Sequence, residues 1–205
     1  QTVLGVEESK DGVVEHEKQV EAQAQLDEKT NNMLKQAQKY KEEGNVLFKE
    51  GELQKARYKY VKVFAFTKTL TGEDPESGEG MVDIALKANQ KGEINTEMKN
   101  KAKEIERDVN SNMAMVFIKE KNWTKAIEKA TNSLNIEKSV KGYYRRGIAH
   151  AMKNDYESAY KDFDEGKELD PDSKDLFDKE IAKTKKKEKE YDKQTSKKYA
   201  GIFNN

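Results

Sequence analysis

Lys141-Gly142-Tyr143-Tyr144-Arg145-Arg146-Gly147-Ile148-Ala149-His150, continued through Asn154 to Ala159 and Phe163, is the stretch on which the fold turns. From Gly147 the marked positions follow at plus three (His150), nine further on (Ala159) and four beyond that (Phe163). The same intervals recur at Ala114, Phe117, Ala126 and Ala130, and again at Gly44, Leu47, Ala56 and Tyr60, with Tyr40 and Tyr143 four residues ahead of the two glycines. A small residue, a larger one a turn later, a second small residue and a final large one describe two helices packed antiparallel, the small residues letting the axes approach. The sequence therefore encodes a helix pair repeated three times.

Punctuation supports that reading. Gly51 and Asn154 stand where the first helix of a pair must stop, and both residue types tolerate the left-handed conformation of a helix C-cap; Lys121-Asn122 is a weaker signal at the same place in the second pair. Pro171 closes the third pair. The chain has 2 prolines in 205 residues, and its strand signals are sparse. The repeats are unevenly spaced: 33 positions separate Ala114 from Gly147, but 70 separate Gly44 from Ala114. The excess forms an insertion over 71–104, whose first part, Thr71 to Gly80, reads as a polar loop that should be mobile and dispensable. Thr96 to Asp108 reads as a solvated, charged helical extension leading to Asn112.

The expected organisation is an acidic linker or partly helical extension over 1–31, a three-repeat domain over 32–171, and a C-terminal capping helix with a basic stretch over 172–205. Asp172 is the expected cap of that last helix, and Leu176, Phe177 and Ile181 its apolar stripe. Lys183 to Lys189 fits a solvated lysine face and also the pattern of a calmodulin target. Because the sequence starts at Gln1, further sequence is expected upstream.

Composition narrows the function. Thirty-nine basic and 39 acidic residues cancel, which argues against nucleic acid as the main partner. There is no cysteine, and His16 and His150 are too far apart in sequence to suggest a zinc site. No apolar run is long enough to span a bilayer and no secretory pattern opens the chain, so a cytoplasmic protein without membrane partners or cofactors is expected. Asn122-Trp123-Thr124 matches a glycosylation sequon, but at a helix junction chance explains it better. Tyr58, Tyr60, Phe64 and Phe66 are expected in the core, and His150 at a packing position rather than a catalytic one.

The chemistry-bearing residues lie on the first helix of each pair, the helices that a repeat stack turns toward its concave surface. Lys41 and Asn45 are four apart on the first, Asn112 sits on the second, and Lys141 and Arg145 are four apart on the third. Three cations and two amides in that register suit a ligand carrying more than one carboxylate, since the cations give charge-assisted donors and the amides can donate or accept.

Lys41-Glu42-Glu43-Gly44-Asn45, Asn112-Met113-Ala114 and Lys141 to Gly147 resemble the segments of the two-carboxylate clamp in tetratricopeptide-repeat (TPR) co-chaperones. The insertion and the ending Lys197-Lys198-Tyr199-Ala200-Gly201-Ile202-Phe203 resemble the C-terminal halves of large FKBP-type immunophilins and of the aryl-hydrocarbon-receptor-interacting protein. The likeness covers about residues 35–203 and departs from the pattern at Ile136 to Val140, where the usual proline is missing. It implies an all-α fold, three TPR repeats in a right-handed superhelix with a long C-terminal capping helix, and no catalysis by this chain. It also implies a carboxylate clamp of Lys41, Asn45, Asn112, Lys141 and Arg145. The partner implied is the Glu-Glu-Val-Asp tail of heat-shock protein 90, with heat-shock protein 70 as a second, alongside client proteins, and an FKBP-type peptidyl-prolyl isomerase domain is implied upstream. Two rival readings stand beside this: a structural TPR subunit of a large assembly with the clamp unused, and a TPR module serving another catalytic domain.

Overall fold

The computed structural model describes residues 10–71 and 94–202, which form seven α-helices and one 3-10 turn, with no strand among them. The expected mobile loop of Thr71 to Gly80 and the aromatic ending at Phe203 lie, but for Thr71 itself, outside the described residues. The helices are α1 (Lys10–Lys49), α2 (Leu53–Thr71), α3 (Thr96–Lys119), α4 (Trp123–Ile136), α5 (Val140–Met152), α6 (Tyr156–Leu169) and α7 (Lys174–Ile202), with the 3-10 turn at Pro171–Ser173 between the last two. α1 packs on α2, α3 on α4 and α5 on α6, and each pair leans on the next through α2 with α3 and α4 with α5. The first helices also touch one another, α1 with α3 and α3 with α5, and so form one continuous wall.

The repeat positions are the packing positions. Ala56, Ala114, Ala126, Ala130, Ala159 and Phe163 are fully buried and Tyr60 and Phe117 nearly so. A Cβ added at Gly44 would lie 2.5 Å from Cε1 of Tyr60, so only glycine lets α1 and α2 come this close, and Gly147 meets the ring of Phe163 in the same way. One cluster joins the first two pairs through Ala37, Val63, Val109 and Val116; another runs from Leu134 through Tyr143 and Phe163 to Phe177 of α7. Phe177 is fully buried and Ile181 packs beside it, but Leu176 is exposed, contrary to the expected stripe. Its position, one residue from Phe177, turns it a quarter circle away from α6.

Side-chain caps set the other boundaries. Asn95, Asn122, Ser139 and Asp155 accept from the backbone N–H of Glu97, Lys125, Gly142 and Ser158 at 2.8, 3.2, 3.1 and 3.3 Å. Asn122 thus has a structural use as a cap, and Ser139 caps α5 within the turn Ile136 to Val140, which has no proline. At the last junction the capping side chain is Asp170, not Asp172: it accepts from Asp172 N at 3.1 Å and from Ser173 Oγ at 2.6 Å. The 3-10 turn at Pro171 supplies this extra step before α7.

α1 runs unbroken from Lys10, so residues 10–31 continue the first repeat's helix, with Leu26, Thr30 and Leu34 buried. The basic stretch of α7 is only partly a solvated face. Lys187 donates to Ala151 O at 2.7 Å and Asn154 Oδ1 at 2.6 Å, bringing a cation to the negative end of α5, and Tyr160 donates to Glu188 Oε2 at 2.6 Å. Burial holds the Lys187 ammonium below the usual lysine range. The three pairs turn through left-handed residues at Gly51, Lys121 and Asn154, with φ of +83°, +56° and +66°. Lys121 is the strained member, since a side chain bearing Cβ disfavours this region. Lys121→Gly is expected to stabilise the protein by up to about 1 kcal/mol, raising Tm by roughly 2–4 °C in a calorimetric scan.

Candidate carboxylate-binding groove

Along the wall formed by α1, α3 and α5 lies a groove of about 710 Å³, and Lys41, Asn45, Asn112, Lys141 and Arg145 all line it. Each reaches it for a local reason. Gly44 lets α1 settle on Tyr60, which turns Lys41 and Asn45 inward on either side of it. Gly142 and Gly147, both buried, pack α5 against Leu134 and Phe163, and Lys141 and Arg145 line the groove from the same helix.

The amides are locked. Asn45 Oδ1 accepts from Tyr60 Oη at 2.8 Å and from Asn112 Nδ2 at 2.8 Å, which engages the oxygen and leaves the Asn45 amide N–H groups available. Burial pushes the Tyr60 hydroxyl up to about 12, against the opposing pull of Arg145 and Asn112, so it stays a donor. Arg145 donates to Ser111 Oγ, and to Asn112 Oδ1 at 3.4 Å. Burial draws the Arg145 guanidinium below its usual range, with Tyr60 and Asp108 opposing that shift, and a guanidinium stays charged regardless. Lys141 is exposed.

Two groove residues escaped the sequence reading, which placed them on a solvated extension. Asp108 Oδ2 accepts from Lys41 Nζ at 3.1 Å, and Asp108 Oδ1 accepts from Arg107 Nη2 at 2.8 Å and Nε at 3.1 Å. Arg107 also pairs with Glu137. Burial would raise the Asp108 carboxyl, but the bonds from Arg107 and Lys41 outweigh it and hold the group below the usual carboxylate range. The signal was there to find, because Asp108 is four residues before Asn112 and so on the same face of α3.

Other expectations sort as follows. Tyr60 is buried and Phe64 and Phe66 pack against the core, but Tyr58 is 59% exposed, with Lys62 Nζ 4.6 Å from its ring centre. Two residues before Tyr60, it lies on the far side of α2. His150 Nδ1 lies 2.8 Å from Asp155 Oδ2, a satisfied side chain at a packing position. No described helix is long and apolar enough to cross a membrane.

A tetratricopeptide-repeat family model matches residues 140–173, which are α5, α6 and the 3-10 turn. The C-terminal TPR-containing domain of a Plasmodium falciparum FK506-binding protein superposes with a TM-score of 0.61 at 27% identity, covering 80% of this chain and 95% of that one. The fold is that of a TPR domain with a C-terminal helix. The Arabidopsis OM64 TPR domain shares the fold at 20% identity, with a TM-score of 0.53 over 74% of this chain and 98% of that one. Among curated proteins, the rat peptidyl-prolyl cis-trans isomerase FKBP4 is 30% identical over 155 residues, 75% of this chain and 29% of that protein. The Arabidopsis isomerase PASTICCINO1 is 28% identical over 133 residues, 64% of this chain and 18% of that protein. The chain therefore spans less than a third of the curated relatives it matches. Its likeness is to TPR domains and to FKBP-type proteins, and a TPR domain is a protein-interaction fold rather than a catalytic one.

Proposed function

We propose that this TPR domain is a co-chaperone scaffold whose groove binds the C-terminal Glu-Glu-Val-Asp tail of heat-shock protein 90 through a two-carboxylate clamp of Lys41, Asn45, Asn112, Lys141 and Arg145. The observation that supports it is the convergence of those five side chains, from three helices far apart in sequence, on one groove. A peptide ending in aspartate brings two carboxylates on its last residue. Cations on α1 and α5 flank two amides that keep N–H groups to donate, and this is the donor set such a residue needs. The tail of heat-shock protein 70, where it ends in the same chemistry, would be a second ligand. In the whole protein the module would carry an FKBP-type domain to chaperone-bound clients, in keeping with the isomerase names of the relatives.

Isothermal titration with a peptide ending Met-Glu-Glu-Val-Asp tests the reading. Micromolar affinity, about −8 kcal/mol, is expected, and the C-terminally amidated peptide should bind more weakly because one of the two carboxylates is gone. Equal affinity for the acid and the amide would leave the groove without its clamp role, and a structural-subunit reading would replace it.

A further inference from the structure

The clamp is not empty of carboxylate. Lys41 Nζ is 3.1 Å from Asp108 Oδ2, and its side chain is only 15% exposed, so the ion pair covers much of the lysine. Arg107 fixes the other oxygen of Asp108 from the neighbouring position on α3 and is itself tied to Glu137 across the groove. The carboxylate is therefore aimed at Lys41 rather than swung toward solvent. Arg145 has no such partner among the described residues: it donates to the neutral Ser111 and Asn112. The two cationic ends of the groove thus differ, one already neutralised from within and the other awaiting an anion.

We infer that Asp108 is a built-in competitor, an internal carboxylate seated on Lys41 that an incoming ligand carboxylate must displace, so that it holds down the groove's preference for tails carrying two carboxylates at their end. The inference rests on the clamp reading above and deepens it. A ligand with one carboxylate can satisfy Arg145 and Lys141 while Asp108 stays in place. A ligand with two gains Lys41 only by outcompeting Asp108, and until the aspartate swings away the two carboxylates repel each other. With Asp108 still 41% exposed, water can solvate it once displaced, which keeps the exchange reversible. Self-competition lowers apparent affinity by the fraction of molecules whose lysine is free, so abolishing it raises affinity by the inverse of that fraction.

The test is titration of wild type, Asp108→Asn and Asp108→Glu with the same aspartate-ending peptide and its amide. Asp108→Asn should bind the acid about three- to tenfold more tightly, with a smaller gain for the amide, while Asp108→Glu, which retains the charge, stays near wild type. Asp108→Ser should repeat the sign of Asp108→Asn and covers the case in which the asparagine variant fails to fold. If wild type binds the acid and the neutral variants bind it no tighter, Asp108 merely orients Lys41 and the inference falls while the clamp stands. If neither wild type nor any variant binds, the clamp reading fails and the inference with it.

Discussion

Arg146→Ala is expected to lower stability by about 3–5 kcal/mol in urea denaturation, although Arg146 stands next to a clamp residue and outside the clamp. Its guanidinium grips Asp162 of α6 as a fork, Nε lying 3.1 and 3.0 Å from the two carboxylate oxygens and Nη2 2.7 Å from Oδ1. Asp162 is 4% exposed by its side chain, so removing the arginine strands a carboxylate that water barely reaches. Arg146→Lys should recover little, because an ammonium cannot reproduce the planar fork. Replacing both partners, as Arg146→Met with Asp162→Leu, should recover most of the loss, since the cost is that of an unpaired charge. A loss below about 1 kcal/mol would mean that α5 and α6 part enough for water to solvate Asp162.

The contrast between Arg145 and Arg146 illustrates what sequence could and could not resolve. The repeat register at Gly44, Ala114 and Gly147 placed the helix pairs, because close packing of two axes restricts those positions to small residues whatever their neighbours. The same register placed the five polar residues, since positions four apart on a helix share a face. It assigned Arg146 no role because its partner is 16 residues away on another helix, and among so many acidic residues no spacing singles out Asp162. Asp108 escaped for a different reason: a helix rich in charge on every side hides a carboxylate turned toward the groove. Leu176 and Tyr58 were misplaced because an apolar residue beside a core position looks like core in a list, while a rotation of 100° per residue puts it in water. The cap at Asp170 was missed because the 3-10 turn at Pro171 shifts the helix start by a few residues.

On the binding side the largest effect is expected from Arg145→Ala, which should weaken the aspartate-ending peptide by about 10- to 100-fold, against about tenfold or less for Lys141→Ala. A charge-assisted hydrogen bond is worth roughly 1.5–3 kcal/mol, and 1.4 kcal/mol is a factor of ten. The two cations should not share that range equally. Arg145 is withdrawn from water, held by Ser111 and Asn112, and loses little freedom when a ligand arrives. Lys141 is exposed, so its attraction is screened and its side chain must be ordered on binding. Rising salt should therefore weaken the wild type, and should weaken Lys141→Ala less steeply than Arg145→Ala, whose remaining contact is the exposed one. The fold should bear the Arg145 change at a cost of about 1 kcal/mol, the price of leaving the Ser111 hydroxyl without its donor. Melting curves on the same samples separate the two neighbours: Arg145→Ala binds poorly and stays folded, whereas Arg146→Ala unfolds early and, below its melting temperature, still binds. If Arg145→Ala keeps full affinity while the fold is intact, the groove's half-buried cation does not touch the ligand and the clamp assignment on α5 is wrong.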